Sequence, residues 1–275
     1  FLNSRAGSEN DARAILLLEH AKQILSWNTK INTPLYNKID TKNLAIIGHS
    51  RGGEAAVTSA VLNKMNFYPE NGNVSFDWNL PIKAVISLAP VEGQYRPGGR
   101  KISPTYVNYL LLHGSHDGDV DSTKGIRYFN RNLPDKGKFR SSFWIYGANH
   151  SQFNSTWSIK QDPHPTFRKN LITLEDQQKI TKTLISAFLD VSFNRNEKYK
   201  EMFKDYRKDY HWLPHTLYIT QYQDSEGHRI ADFEEDKNLY STSYNDWKIK
   251  IDGFSRWYEY YLPLNDSNNQ ESWAL

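Results

Sequence analysis

Apolar positions along the chain fall into two alternating patterns. Over residues 10–27, Ile15, Leu18, Ala21 and Leu25 recur at the spacing of one helical face, with Asn10 placed to cap the start. The next apolar stretch, Leu44-Ala45-Ile46-Ile47, is continuous rather than periodic. Short unbroken runs of this kind suit strands covered on both faces of a parallel sheet. Ala84-Val85-Ile86-Ser87-Leu88 and Tyr109-Leu110-Leu111-Leu112 repeat the pattern, and Ser142-Phe143-Trp144-Ile145-Tyr146 gives an aromatic version of it. Helical stretches around 54–63 and 123–132 separate these runs. The alternation predicts an α/β fold, with parallel strands joined by crossover helices. A further helix is expected over 173–190, with Thr173 and Asp176 as a capping pair and Ile180, Leu184, Ile185 and Phe188 as its apolar stripe.

Beyond that helix the character changes. Residues 195–215 are dense in Lys, Tyr and Asp. Thr216-Leu217-Tyr218-Ile219-Thr220 then alternates, and the turn-like Asp224-Ser225-Glu226-Gly227 follows. This reads as the start of an all-β, sandwich-like region. The expected organisation is an α/β domain over 1–195, then a linker and incomplete β-rich region over 196–275. No internal repeat or low-complexity tract is present.

Composition narrows the function classes. At 275 residues the chain suits one large domain or a domain and a half, and an aromatic content of 14% supplies a core. The net charge of +3 comes from interspersed acids and bases without a basic block, so nucleic acid is not an expected partner. With no cysteine, disulfides, thiolate catalysis and Cys-ligated zinc are excluded. No run approaches the ~20 apolar residues of a membrane-spanning helix. The chain begins with Phe1, and no signal-peptide pattern follows. It is therefore expected to be a piece of a longer product.

The candidate chemistry starts at Gly48-His49-Ser50-Arg51-Gly52, a G-x-S-x-G match between an apolar strand and a helix. A sharp strand-to-helix turn holds such a serine in strained geometry, and the flanking glycines let backbone approach. Ser50 is the candidate nucleophile, with the Arg51 backbone N–H as an oxyanion-hole donor. His49, next to it, is expected to point away and to be structural. An acid and a base should follow on loops after later strands. Asp117, past the strand Tyr109–Leu112, is the candidate acid, with Asp119 as runner-up. His150, in Gly147-Ala148-Asn149-His150 after the strand ending at Tyr146, is the candidate base. Asp117, Asp119 and Asp121 alternate like a calcium loop, but Ser122 and Tyr128 stand where an EF-hand needs Gly and Glu. His211 and His215 flank Pro214 and are read as non-ligands. Neither a metal nor another cofactor is expected.

Gly48–Glu54, Gly114–Val120 and Gly147–Asn154 together resemble bacterial α/β-hydrolases of the group holding cutinase-like polyester hydrolases, dienelactone hydrolases, chlorophyllases and platelet-activating-factor acetylhydrolases. The resemblance covers residues 10–190. It implies serine carboxyl-ester hydrolysis through an acyl-enzyme, with Ser50, His150 and Asp117 as the triad. Leu213-Pro214, Asp224-Ser225 and Asp232–Asp236 resemble the junction to an appended β-sandwich in large multidomain members. Arg51 departs from the small or apolar residue that cutinase-type enzymes carry after the nucleophile. The fold's first strands, and the loop giving a second oxyanion donor, are missing. The sheet is thus the C-terminal half of the fold, and upstream chain or another chain is expected to complete it.

Gln94, Tyr95, Phe153 and Trp157 follow the relevant strands and are the candidate substrate contacts. Such an aromatic, uncharged rim suits an apolar acyl or aryl ester, either a small molecule or a polymer. A polymer-degrading enzyme suits export to the periplasm or beyond. Two other readings stay open. One is a glycan-binding or structural protein built on a hydrolase-like domain; the other is a peptidase using the same residues.

Overall fold

The computed structural model describes residues 9–120, 124–131, 133–156, 169–194, 196–228, 230–231, 236, 238–244, 246–263 and 270–274. The chain divides into two compact units, 1–225 and 226–275.

In the first unit the elements run α1 (Asn10–Asn28), β1 (Leu44–His49), α2 (Arg51–Leu62), β2 (Phe67–Tyr68), β3 (Asn71–Ser75), β4 (Ile82–Leu88), β5 (Asn108–Gly114), α3 (Ile126–Asn130), β6 (Phe139–Ile145), α4 (Leu174–Asn194), α5 (Glu197–Lys204) and β7 (Tyr218–Asp224). The main sheet has five strands in the order β1-β4-β5-β6-β7. The first four are parallel, as the continuous apolar runs predicted, and β7 pairs antiparallel with β6.

Strand alternation splits the core between the sheet's faces. On one face Ile46, Val85, Tyr109 and Leu111 pack with Ala14 and Leu18 of α1 and Ala56, Val57 and Ala60 of α2. On the other, Ala84, Ile86, Leu88, Leu110, Leu112 and Phe143 pack with Ile180, Leu184 and Phe188 of α4 and Met202 and Phe203 of α5. Small residues on α2 let α1 sit close, and Ser59 Oγ donates to the Ala14 carbonyl at 3.3 Å. Strand β1 lies at the sheet's edge, and Ile47 within it is 47% exposed. Among the described residues no helix is long and apolar enough to cross a membrane.

Several expectations shift. The alternation at 216–220 belongs to β7, an edge strand of the α/β sheet, and not to the start of a β-sandwich. One face of an antiparallel edge strand meets the core while the other meets water, so it alternates where its parallel neighbours do not. Tyr218 is buried against the α4–α5 side and Ile219 is exposed. The compact unit thereby extends through Ser225, past the boundary expected after residue 195. In the second unit the described strands are one antiparallel pair, β8 (Glu259–Pro263) with β9 (Gln270–Ala274). The short β2–β3 hairpin had no apolar pattern to announce it, since β3 is exposed throughout. Asn10 does not cap α1: it is the first helical residue, fully buried, and its amide donates to Glu54. Thr173 does cap α4, its Oγ1 accepting from Asp176 N at 3.0 Å.

Candidate functional site

Ser50 sits between β1 and α2 with φ 57° and ψ −126°. A non-glycine residue in that region of φ/ψ space is strained, and the surroundings must hold it there. They do: Ser50 N donates to Leu88 O of the neighbouring strand at 2.9 Å, while Ser50 O accepts from Gly53 N at 2.9 Å and from Val91 N at 3.4 Å. The two motif glycines are not equivalent. A Cβ on Gly48 would lie 1.9 Å from Gly52 O and 2.2 Å from Gly52 C, whereas a Cβ on Gly52 meets nothing within 4 Å. Gly48 is the position that lets the first turn of α2 fold back over the strand. Arg51 is the first residue of α2, so its N–H points out of the helix N-terminus beside Ser50.

At the same end of the sheet, the loops after β5 and β6 cross. A Cβ on Gly114 would lie 2.3 Å from Ala148 O, so glycine is what allows the crossing. His116 N donates to Ala148 O at 2.9 Å, Ser115 N to Ile145 O at 3.0 Å, and Gly147 N to Ser115 Oγ at 3.0 Å. The crossing brings His150 Nδ1 to 2.8 Å from Asp117 Oδ2, with both residues buried. The other carboxylate oxygen of Asp117 accepts from Asp119 N at 3.0 Å and Val120 N at 2.7 Å, which fixes its orientation. Behind it, His113 Nε2 lies 3.1 Å from Val120 O and 3.6 Å from Asp117 Oδ2, with its ring stacked on Trp144. Burial lowers the pKa of His113, favouring the neutral ring.

The His150 segment is held from α4 as well. The buried Gln177 accepts from Asn149 N at 3.1 Å through Oε1 and donates to Asn149 O at 2.8 Å through Nε2. His49 does not point away from this assembly: its ring centroid is 4.4 Å from that of His150 and 5.9 Å from that of Phe153. Burial, then the proximity of His150, pushes the His49 pKa down to about 4. His49 is therefore neutral at ordinary pH and gives His150 an uncharged surface to pack on. The ring contact also ties the residue before Ser50 to the base candidate. Asp119, the runner-up acid, faces the other imidazole nitrogen, with Oδ2 3.2 Å from His150 Nε2.

The other candidates divide. Phe153 is half-buried beside His49. Gln94 and Tyr95 have their polar atoms committed elsewhere. Gln94 Oε1 accepts from Asn10 at 3.2 Å, and Tyr95 OH donates to Glu70 at 2.6 Å. Their backbone is gathered by Glu54, whose Oε1 accepts from Gly93 N at 2.6 Å and Gln94 N at 2.9 Å. Glu54 is fully buried, and desolvation raises its pKa against the opposing pull of these donors. Trp157 lies outside the described residues.

Sequence reasoning missed Glu54, Gln177 and His113. Glu54 left a signal, a lone carboxylate in the otherwise uncharged Gly53–Ala60 stretch of α2; Gln177 left none. Among the described residues, no group of three or more His, Asp or Glu side chains is arranged to hold a metal ion. No known family model matches the chain, and no curated protein matches it.

Proposed function

We propose that the protein is a serine hydrolase acting on carboxyl esters, with Ser50 as nucleophile, His150 as general base and Asp117 as the acid that orients it. The observation carrying this reading is the conjunction of a strained serine on a strand-to-helix turn with a buried His150–Asp117 hydrogen bond at the same sheet end. Asp117 fixes the tautomer, so that Nδ1 carries a proton and Nε2 is the nitrogen able to accept one. Ser50 Oγ attacks the ester carbonyl as its proton passes to Nε2. The tetrahedral oxyanion is met by the Arg51 N–H at the α2 N-terminus. The imidazolium then protonates the departing alcohol, and water resolves the acyl-enzyme by the same relay.

Phe153 and the His49 ring give the site an uncharged, aromatic flank, which supports an apolar acyl or aryl ester. A chain segment paired along the open edge of β1 would supply a second oxyanion donor and cover Ile47. One missing donor costs about 10²–10³ in rate, so slow turnover by this chain alone is consistent with the proposal.

The test is a panel of aryl and alkyl esters with Ser50→Ala as control, together with a fluorophosphonate probe. Hydrolysis should fall at least ~10³-fold in the variant, and the probe should mark Ser50. Equal rates for both proteins would end the reading.

A further inference from the structure

The sheet carries a second concave region. The pairing register lines up two rows of side chains across β5, β6 and β7: His113–Trp144–Ile219 and Leu111–Ser142–Gln221. Members of the two rows are two residues apart on each strand, so both rows lie on one face of the sheet. With Ile126 of α3 they line a cavity of about 300 Å³. Its lining includes neither Ser50, Asp117 nor His150. Most of the wall is hydrocarbon, together with the half-buried Trp144 indole. Ile219, 60% exposed, stands at the open side.

The polar groups of this lining are unequally satisfied. Ser142 Oγ donates to Gln221 Oε1 at 3.3 Å, and the exposed Gln221 can turn its amide to water. His113 differs. It is only 3% exposed, and its ring is stacked on Trp144 with centroids 4.9 Å apart. Nε2 lies 3.1 Å from the Val120 carbonyl, and a carbonyl only accepts, so Nε2 carries the ring's proton. In the neutral ring Nδ1 is then a bare acceptor. Among the described residues nothing donates to it, and what remains accessible of the ring faces the cavity. A lone acceptor in a hydrocarbon-walled recess calls for a donor.

We propose that this cavity binds a small, uncharged aromatic molecule bearing a hydroxyl group, with its ring against Trp144 and Ile219 and its O–H donating to His113 Nδ1. Size sets the class: a dry cavity of about 150 Å³ holds benzene, so this one holds a single ring with a short substituent and is too small for a lipid chain or a polymer segment. Charge narrows it. A carboxylate only accepts, so it would set lone pair against lone pair, and no cationic side chain in the lining offsets its desolvation. The unmet acceptor lies behind Ile219, almost fully buried. A ligand that reaches it has to enter the recess, which a hydroxylated ring does and the flat surface of a second protein does not. The site is independent of the hydrolase reading and stands or falls without it.

The experiment is calorimetric titration of the full chain with p-cresol, 4-methylanisole and 4-methylbenzoate, alongside NMR of the 15N-labelled histidine rings. p-Cresol should bind with a Kd on the order of 0.1–1 mM, ordinary for a molecule of its size. The methyl ether keeps the oxygen but loses the donor, and should bind about 3–10-fold more weakly. The carboxylate should not bind. Saturating p-cresol should move the His113 Nδ1 resonance upfield, and the ether should not. Ile219→Lys changes an exposed side chain, so the fold survives, and the charge at the open side should weaken p-cresol binding at least about ten-fold. His113→Phe should bind p-cresol and the ether alike. Equal affinities for these two probes in the parent overturn the proposal, as does an unmoved Nδ1 resonance. p-Cresol binding that ignores Ile219→Lys and disappears once a fluorophosphonate has labelled Ser50 also overturns it, because the ring would then occupy the ester site. A dimer that dissociates in Ile219→Lys, with no p-cresol binding to the parent, assigns the face to a second copy of the chain and overturns it as well.

Discussion

Two loop regions at the same end of the sheet are held there by different physics. The crossing of the β5 and β6 loops, which joins Asp117 to His150, is backbone against backbone. Carbonyls and amides interlock at Gly114, Ala148 and His116, and one atom too many at Gly114 would block the approach. The loop after β4 is held by buried charge. Glu54 gathers the Gly93 and Gln94 amides, and the buried Glu92 pairs with Arg131 and Arg127 of the α3 region. The first kind of restraint tolerates no substitution but does not respond to pH. The second can be replaced by a neutral isostere, and within it burial raises the pKa of Glu54.

The most severe way to break this comparison is Gly114→Ala. Its Cβ would sit 2.3 Å from a backbone oxygen, with no side chain able to yield. Gly48→Ala meets backbone at 1.9 Å. Each should destabilise by more than about 4 kcal/mol or leave no cooperative unfolding transition. A denaturant titration with a near-native midpoint for either variant would show that the loops are not sterically locked.

Glu54 tests the other half. Glu54→Ala strands the Gly93 and Gln94 amides and should cost about 3 kcal/mol. Glu54→Gln keeps an acceptor for them and should cost much less. The sign of its pH dependence follows from burial. The folded pKa of Glu54 lies above the unfolded value, so the folded state binds the extra proton. This contribution therefore favours folding at acid pH, and it is lost as pH rises from the unfolded pKa through the folded one. The parent should lose stability relative to Glu54→Gln on leaving the acid range; parallel pH–stability curves would refute the assignment.

These restraints were unequally visible in the chain. Parallel strands β1, β4, β5 and β6 announced themselves as unbroken apolar runs because both their faces are covered. Asp117 and His150 were legible as loop residues past strand ends, whereas the crossing that Gly114 permits was not. Strand β7 was misassigned because its alternation is shared by any strand with one wet face, and only its pairing with β6 settles where it belongs. Glu54 and Gln177 were missed for a different reason. A buried polar side chain is recognised by its partners, and those lie up to 74 positions away, as Tyr128 does from Glu54. His49 failed on direction, since neighbours on a strand point to opposite faces only while the strand continues, and Ser50 ends it.

His49 gives the next prediction down in size. Its folded pKa of about 4 lies below the ordinary 6.5, so the unfolded chain takes up the proton first on acidification. Stability is fully present above pH 6.5 and falls as pH drops toward 4. At pH 5 the loss attributable to His49 is about 2 kcal/mol. His49→Phe keeps a ring against His150 and removes the titration. Thermal unfolding at pH 5 and pH 7.5 should then differ less in the variant than in the parent, and identical differences would mean that His49 is not buried neutral.

The smallest effect separates the structure most cleanly from the motif. Read as letters, G-x-S-x-G treats its two glycines alike. In the fold, a Cβ on Gly52 points into open space within the first turn of a helix, where alanine is favoured over glycine by about 0.5–1 kcal/mol. Gly52→Ala should therefore fold normally and gain up to that amount, while Gly48→Ala fails. If Gly52→Ala were as damaging as Gly48→Ala in the same unfolding assay, the turn around Ser50 would have to be packed by something other than the contact between Gly48 and the first turn of α2. The steric account of how this sequence holds its serine would then be wrong at its first step.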